Sequence, residues 1–365
     1  MFEKHYYFRD DFDAGKPLLV YGFGTTALAD LPYLFDLDAN IVAIFDQNPD
    51  YHGMFNGIPV LPPEDLAKFD KAYTVVVYAL KAALHITAFL RELGFRDIKY
   101  GSAWVKMEIE LCAALAGEEA LKSNVMRIES AAEQIYRARN LMADKISLEV
   151  FDARLDGYKT GDWLKLANCN SYTKGFGYYN HGLFKFGGQE VFADCGALNG
   201  ATAFEFKEYV KGKYKYIYSF EPSEIYFELT KRNFSYAELT NAKVYRYALC
   251  NQIGTVSFST KNATTATHSI DPDGTETVPC TTLDHFFSKE KRIPTFIKMD
   301  IEGAELDALN GAAEVLKSAP RLAICAYHTL PHLWEVPLKI HELNPKYKLY
   351  YRHDSIFYET RCYAV

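Results

Sequence analysis

The sequence predicts an α/β protein made of two Rossmann-like doubly wound domains joined by a helical linker. Three observations predict it. Short apolar runs alternate with amphipathic stretches of about a dozen residues in both halves of the chain, the pattern that builds parallel sheets. A glycine turn follows the first strand of each half, at Gly22 and Gly24 and again at Gly196 and Gly200. Between the halves lies a proline-free region dominated by Ala, Glu, Leu, Arg and Lys. The boundaries drawn on these grounds are 1–103 for a nucleotide-binding-type domain, 104–157 for the linker and 158–365 for the second domain.

In the first half, Leu18–Tyr21 reads as a strand stopped by the glycines. A helix through Leu28, Leu31 and Leu34 follows, then a strand, Ile41–Phe45, that ends at Asp46. Residues 57–61 read as a brief strand or turn, and PPEDLAKF as a helix started by proline. Residues 74–80 form an apolar strand and 81–93 a helix capped by Gly94. The linker reads as one or two long helices, and 156–188, rich in Gly, Asn and Tyr, as loop. In the second half the strands are 190–195, 216–220, 243–249, 295–299 and 321–327. Helices fall around 202–210, 223–234, 304–316 and 334–343. Residues 254–282 read as an inserted β-hairpin, whose polar tip KNATTATHS is either a lid over a site or an ordinary turn. YKLYYRHD and IFYETRCYAV close the chain as an antiparallel pair.

Composition narrows the function. A chain of 365 residues with 49% hydrophobic content can bury two cores without disulfides or a structural metal. Its net charge of −7 argues against a general nucleic-acid binder. No apolar stretch approaches the roughly 20 residues of a membrane span, and the first residues lack the apolar core of a signal peptide. Seven scattered cysteines without a C-x-x-C pair fit reduced thiols in the cytoplasm. Aromatics reach 15%. They either fill strands and interfaces, as good strand formers do, or line a pocket.

The first glycine string, VYGFGTTA, gives G-x-G-x-x-A directly after a strand, with Asp46 ending the next strand. Glycines allow close approach of a phosphate to a helix N-terminus, and the acid can accept from a ribose hydroxyl. Gly22, Gly24 and Asp46 therefore mark either a nucleotide or nucleotide-sugar site or a packing turn. The second string, EVFADCGALNGATAF, has a different rhythm. Its loop suits a small zwitterion, with Asp194 orienting an amino-acid end and Glu221, in SFEP, accepting from ribose.

In order, the motifs DCGALNG, SFEP, CTTLD, FIKMDIEGAELDALNGA and ICAYHTLPHLWEVPLKI resemble the FkbM-type methyltransferases, from about Tyr178 to the C-terminus. A similar fused N-terminal domain is familiar in some bacterial members. The resemblance implies that 158–365 is a class I methyltransferase sheet of seven strands with an antiparallel last strand. It implies S-adenosylmethionine as cofactor and a hydroxyl on a sugar, polysaccharide or secondary metabolite as acceptor. Carried onto this chain, Asp194, Gly196, Ala197, Asn199 and Gly200 would hold the methionine end and Glu221 the ribose. Ser223, Tyr247 and Ala248 would lie by the adenine, and Tyr179 would bring an aromatic ring near the cofactor.

Transfer to a hydroxyl needs a base within hydrogen-bond reach, at the carboxyl ends of the central strands. Asp300, Glu302 and His328 qualify. His328 is the preferred base, because neutral imidazole is available near pH 7. Asp300 and Glu302 could instead bind acceptor hydroxyls, and with His328 they could hold Mg²⁺ or Mn²⁺. Glu305 reads as charge at a helix N-terminus. His328 and His332 would share a helical face, yet Pro331 and the lack of H-E-x-x-H argue against a zinc protease. The expected function is an O-methyltransferase acting on a glycan or small-molecule hydroxyl. Its alternatives are a non-catalytic nucleotide-binding module and an NAD(P)-dependent oxidoreductase. Association as a homodimer is left open.

Overall fold

Strand pairing follows the expected alternation. The computed structural model describes residues 15–36, 38–79, 82–169, 177–179, 181–259, 269–270, 274 and 276–365. The expected lid, 261–269, lies outside them apart from Ser269. Two compact units emerge. One runs to Leu121 and takes in Thr160–Asn168; the other comprises Lys122–Lys159 and Cys169–Val365.

The first unit contains β1 (Leu18–Tyr21), α1 (Thr25–Asp36), β2 (Ile41–Phe45), β3 (Gly53–Phe55), β4 (Ile58–Leu61), β5 (Thr74–Val77), α2 (Ala83–Glu92) and β6 (Ile98–Tyr100). Its sheet order is β3-β4-β2-β1-β5-β6, parallel except for β3. The expected helix in PPEDLAKF is a 3-10 helix, Pro63–Lys68. β1 and β5 are buried along their whole length, which is why they read as unbroken apolar runs.

The linker holds more breaks than its composition suggests. In place of one or two long helices come α3 (Ala103–Leu115), α4 (Glu118–Ser130), α5 (Ala132–Asn140) and α6 (Lys145–Thr160), then the short α7 (Leu164–Asn168). The break before α6 has a clear cause. The Ala143 amide donates to the Leu349 carbonyl, and the Asp144 carboxylate accepts from the Ser147 amide at 2.8 Å, so the chain is restarted by a cap.

The second unit continues with β7 (Val191–Cys195), α8 (Ala201–Tyr209), β8 (Tyr216–Phe220), α9 (Glu224–Tyr236), β9 (Ala242–Tyr245), β10 (Ala248–Leu249), β11 (Gly254–Ser259), β12 (Ser269–Ile270), β13 (Glu276–Thr281), α10 (Leu283–Ser288) and β14 (Phe296–Met299). It ends with α11 (Glu305–Asn310), α12 (Ala313–Leu316), β15 (Arg321–Cys325), α13 (His332–Leu343), β16 (Leu349–His353) and β17 (Thr360–Ala364). The seven-stranded order is β16-β17-β15-β14-β7-β8-β9, with β17 antiparallel to both neighbours. Two expectations are corrected. Residues 243–249 are not one strand: the chain turns at Arg246–Tyr247, and β10 joins a separate four-stranded sheet with β11, β12 and β13. The helix expected over 304–316 breaks at Gly311, which sits so close to the Cys250 carbonyl that a Cβ would stand 2.3 Å from it.

Aromatic residues form much of the core of the second unit. Phe192 and Phe296 stack with centroids 5.0 Å apart, and Phe206, Phe184 and Tyr363 surround them. A buried guanidinium ties α6 to the sheet, since Arg154 donates to the Phe357 carbonyl at 2.6 Å, to Thr360 Oγ1 and to the Tyr327 carbonyl. His353 lies beside it, its Nδ1 2.9 Å from Thr360 Oγ1. Burial, reinforced by the Arg154 charge, lowers the His353 pKa to about 3. Unfolding restores an ordinary value near 6.5, so stability is full above that pH and falls as pH drops towards 3. The loss by the bottom of that window is on the order of 4 kcal/mol. Denaturant titrations between pH 7 and pH 4 should show this acid limb, and His353→Gln should remove one proton from its slope. Among the described residues, no helix is long and apolar enough to cross a membrane.

Candidate active site

The carboxyl ends of β7, β8 and β14 meet around a cavity of about 110 Å³. Six residues singled out from the sequence line it: Gly196, Glu221, Tyr247, Ala248, Asp300 and Glu302. Leu198, Phe220, Phe258 and Ile270 supply apolar wall. Gly196 is irreplaceable on steric grounds. Its φ is +85°, and a Cβ there would stand 1.8 Å from the Asp300 carbonyl oxygen.

Around that glycine the loop is held by hydrogen bonds. Gly196 and Ala197 amides both donate to the Phe220 carbonyl. Asn199 Oδ1 accepts from the Ala201 amide, and Asn233 Nδ2 donates to the Asn199 carbonyl. Gly200 has φ +82° and packs against Phe234. Glu221 is 6% exposed. Its Oε2 accepts from the Leu198 amide at 2.8 Å and its Oε1 from the Ser223 amide at 2.9 Å. Burial raises its pKa to about 7, against the pull of those two amides.

Asp194 lies behind the cavity rather than in its wall. It is fully buried, with Oδ1 3.4 Å from Lys298 Nζ. Lys298 donates onward to the Gly196 carbonyl at 2.6 Å and to the Cys195 carbonyl. Burial disfavours the ammonium, but Asp194 and Asp300 outweigh it and raise its pKa. Sequence reading passed over Lys298; the available signal was a lone charge inside an otherwise apolar strand. Tyr179 is also away from the cavity. It is wholly buried in the aromatic core and donates to the Thr202 carbonyl at 2.9 Å.

At the end of β14, Asp300 accepts from Tyr178 (2.7 Å) and Tyr327 (3.1 Å) hydroxyls. His328, past the end of β15, reaches three carboxylates. Its Nε2 is 3.3 Å from Asp300 and 3.6 Å from Glu302, and its Nδ1 is 3.0 Å from Glu305. None of these contacts is a well-aligned hydrogen bond. Burial opposes protonation of His328, yet Glu305 and Asp300 overcome it and hold the pKa well above the ordinary value. Burial likewise opposes ionisation of Asp300, and His328 and Lys298 hold its pKa well below the ordinary value. Glu302 behaves oppositely: burial raises it to about 7 despite His328.

Glu305 is a structural clamp rather than a surface charge on a helix end. It is fully buried, accepts from the Ile301 and Gly303 amides, and lies 3.4 Å from His332 Nδ1. Asp300, Glu302 and His328 bring one ligand atom each within 4.8 Å of one another, as do Glu305, His328 and His332. In the first unit, Asp46 turns its carboxylate onto the glycine loop, accepting from Phe23 and Asn48 amides at 2.7 and 2.8 Å.

This sheet order with its antiparallel β17 is the arrangement that the family resemblance implies, and the comparisons with known proteins support an S-adenosylmethionine-dependent methyltransferase. Residues 194–347 match the sequence model of the family described as "Methyltransferase FkbM domain". The chain thus carries an FkbM methyltransferase domain. It is similar in fold to a methyltransferase FkbM from Methylobacillus flagellatus KT, with 19% identity and a TM-score of 0.58 over 96% of this chain and 90% of that one. A SAM-dependent methyltransferase from Aquifex aeolicus matches at 16% identity and a TM-score of 0.31, over 63% of this chain and 97% of its own. No curated protein matches the chain significantly.

Proposed function

We propose that the protein moves a methyl group from S-adenosylmethionine to a hydroxyl oxygen of a glycan or small-molecule acceptor. The observation that carries this reading is the charge of the cavity wall. It holds three carboxylates, Glu221, Asp300 and Glu302, and no Lys or Arg among the described lining residues. Such a wall favours a cationic sulfonium over an anionic ligand.

The cofactor supplies an electrophilic methyl carbon when bound. The chain's own residues bind, orient and deprotonate. Each Glu221 oxygen has one backbone donor and so keeps a lone pair for a ribose hydroxyl. Ser223 holds Glu221 in place, while Tyr247 and Ala248 border the adenine side. Gly196, Ala197, Asn199 and Gly200 shape the loop for the methionine end, and Asp194 supports that loop through Lys298. Tyr179 anchors the segment entering the domain.

For the proton, the three strand-end groups divide the work. Glu302 reaches the cavity and takes the hydroxyl proton. His328, enclosed by carboxylates, serves as a fixed cation that orients Asp300 and Glu302. Asp300, locked by two tyrosines, holds the acceptor hydroxyl. The test is S-adenosylhomocysteine release with neutral sugars and hydroxylated aromatics as acceptors, followed by NMR of the product. A methyl ether supports the reading; methylation only at nitrogen or a carboxylate refutes it. Activity that vanishes on chelation and returns with Mg²⁺ would instead assign the three groups to a cation.

A further inference from the structure

We propose that the first unit binds a neutral, hydroxyl-rich ligand, a sugar ring, in a cleft beside its glycine loop, and that the loop itself takes no nucleotide. Two sets of observations carry this, and neither depends on the methyl-transfer reading.

The loop is closed to phosphate. Its Phe23 amide, which a diphosphate would need, already donates to Asp46 Oδ2 at 2.7 Å. A carboxylate therefore stands where the anion would sit, and two anions sharing one donor repel. The other Asp46 oxygen accepts from the Asn48 amide, so both oxygens of the carboxylate are held against the loop backbone. The arrangement is built in, because the Phe23 ring packs edge-on against Tyr51 and Phe55 with centroids 5.7 and 5.0 Å away. Gly22 serves packing: with φ +97°, a Cβ there would stand 3.0 Å from the Ala79 amide nitrogen.

The cleft next to the loop has other chemistry. It is an open groove of about 650 Å³ beyond the carboxyl ends of β1, β2 and β4, against α2. That is the edge where open α/β sheets bind ligands, and β1 is the strand at which the order reverses. The volume lies within the roughly 300–1,000 Å³ of small-molecule pockets. Tyr21, Gln47, His52, Glu64 and His85 converge on it, and its described lining contains no Lys or Arg. His52 has Nε2 2.8 Å from the Asp46 carbonyl, so Nε2 donates there and Nδ1 remains an acceptor. Tyr21 and Gln47 both line the cleft and offer it a hydroxyl and an amide. Pro63 and Phe89 add the apolar faces against which ring C–H groups pack.

This mixture of donors, acceptors and apolar faces selects the ligand. A phosphate would meet Glu64, and the described lining residues offer it no Lys or Arg. A purely apolar ligand would leave the polar groups that line the cleft without partners from the ligand, at a cost of about 1–3 kcal/mol for each one it buries. A sugar ring satisfies both kinds of surface.

The test is titration of the full chain with maltose, N-acetylglucosamine, UDP-glucose and NAD⁺ by saturation-transfer NMR and calorimetry. We expect a neutral sugar to bind, about tenfold more weakly in Tyr21→Phe and in His85→Ala. Gly24→Val should leave that binding unchanged, because an added Cβ there meets nothing within 4 Å. Circular dichroism of each variant controls for folding, and Tyr21→Phe keeps the buried ring. Failure of both neutral sugars to bind at millimolar concentration overturns the proposal. So does binding of NAD⁺ or UDP-glucose that is lost in Gly24→Val.

Discussion

Replacing Glu302 with glutamine is expected to lower kcat by about 10²–10⁴-fold while leaving S-adenosylmethionine affinity within a few-fold of the parent. Glutamine preserves the shape of the side chain and removes only its capacity to take a proton. Glu302 is placed for this work by an unusual backbone: its φ is +55°, in the turn directly after β14. That conformation costs a non-glycine residue energy, and such strain tends to be kept where it positions a reacting group. With its pKa at about 7, the carboxylate is half ionised near neutrality. Turnover in the parent should therefore rise with pH through that value, and the limb should be missing in Glu302→Gln. His328→Ala should impair turnover by a different route, through a disordered Asp300 and Glu302. If the pH limb survives in Glu302→Gln and disappears in His328→Ala, the base is the imidazole.

Lys298→Met should destabilise the second unit by about 3–5 kcal/mol, the usual consequence of removing one partner from a buried ion pair. Asp194 would be left fully buried with its main counter-charge gone, and the Gly196 carbonyl would lose its 2.6 Å donor. The loop would then lose its support from β14, and cofactor affinity should fall together with stability. A second substitution, Asp194→Asn, removes the stranded charge. The double variant should recover most of the lost stability, and a double-mutant cycle measures the coupling. Additive effects would mean that the pair does not interact as its geometry indicates.

Features of the second unit that follow from local pattern were legible in the sequence. Alternating strands and helices announced the sheet, and the closing pair β16 and β17 was readable from two alternating segments. Glu221, Asp300 and Glu302 could be singled out because strand ends are visible in sequence, and all three line the cavity at those ends. What escaped reading depends on distant pairing. Lys298 looked like one polar letter in an apolar run, and only the neighbouring strand supplies Asp194. Glu305 looked like ordinary charge at a helix start, yet two histidines more than twenty residues away enclose it. His328 was expected to be neutral, a judgement that ignored the three carboxylates brought around it by folding. Tyr179 stands at the position expected, but its ring serves the core. The break at Gly311 was hidden because its cause, the Cys250 carbonyl, lies far away in the chain.

The proposed methyl transfer requires the second unit to hold an adenosyl cofactor through Glu221. Calorimetric titration of the purified chain with S-adenosylmethionine, S-adenosylhomocysteine and NAD(H) tests this most directly, with Glu221→Ala run alongside. Both adenosyl ligands should bind, and the substitution should weaken them at least about tenfold. Unchanged affinity in Glu221→Ala would remove the ribose assignment, and binding of NAD(H) alone would contradict the account as a whole.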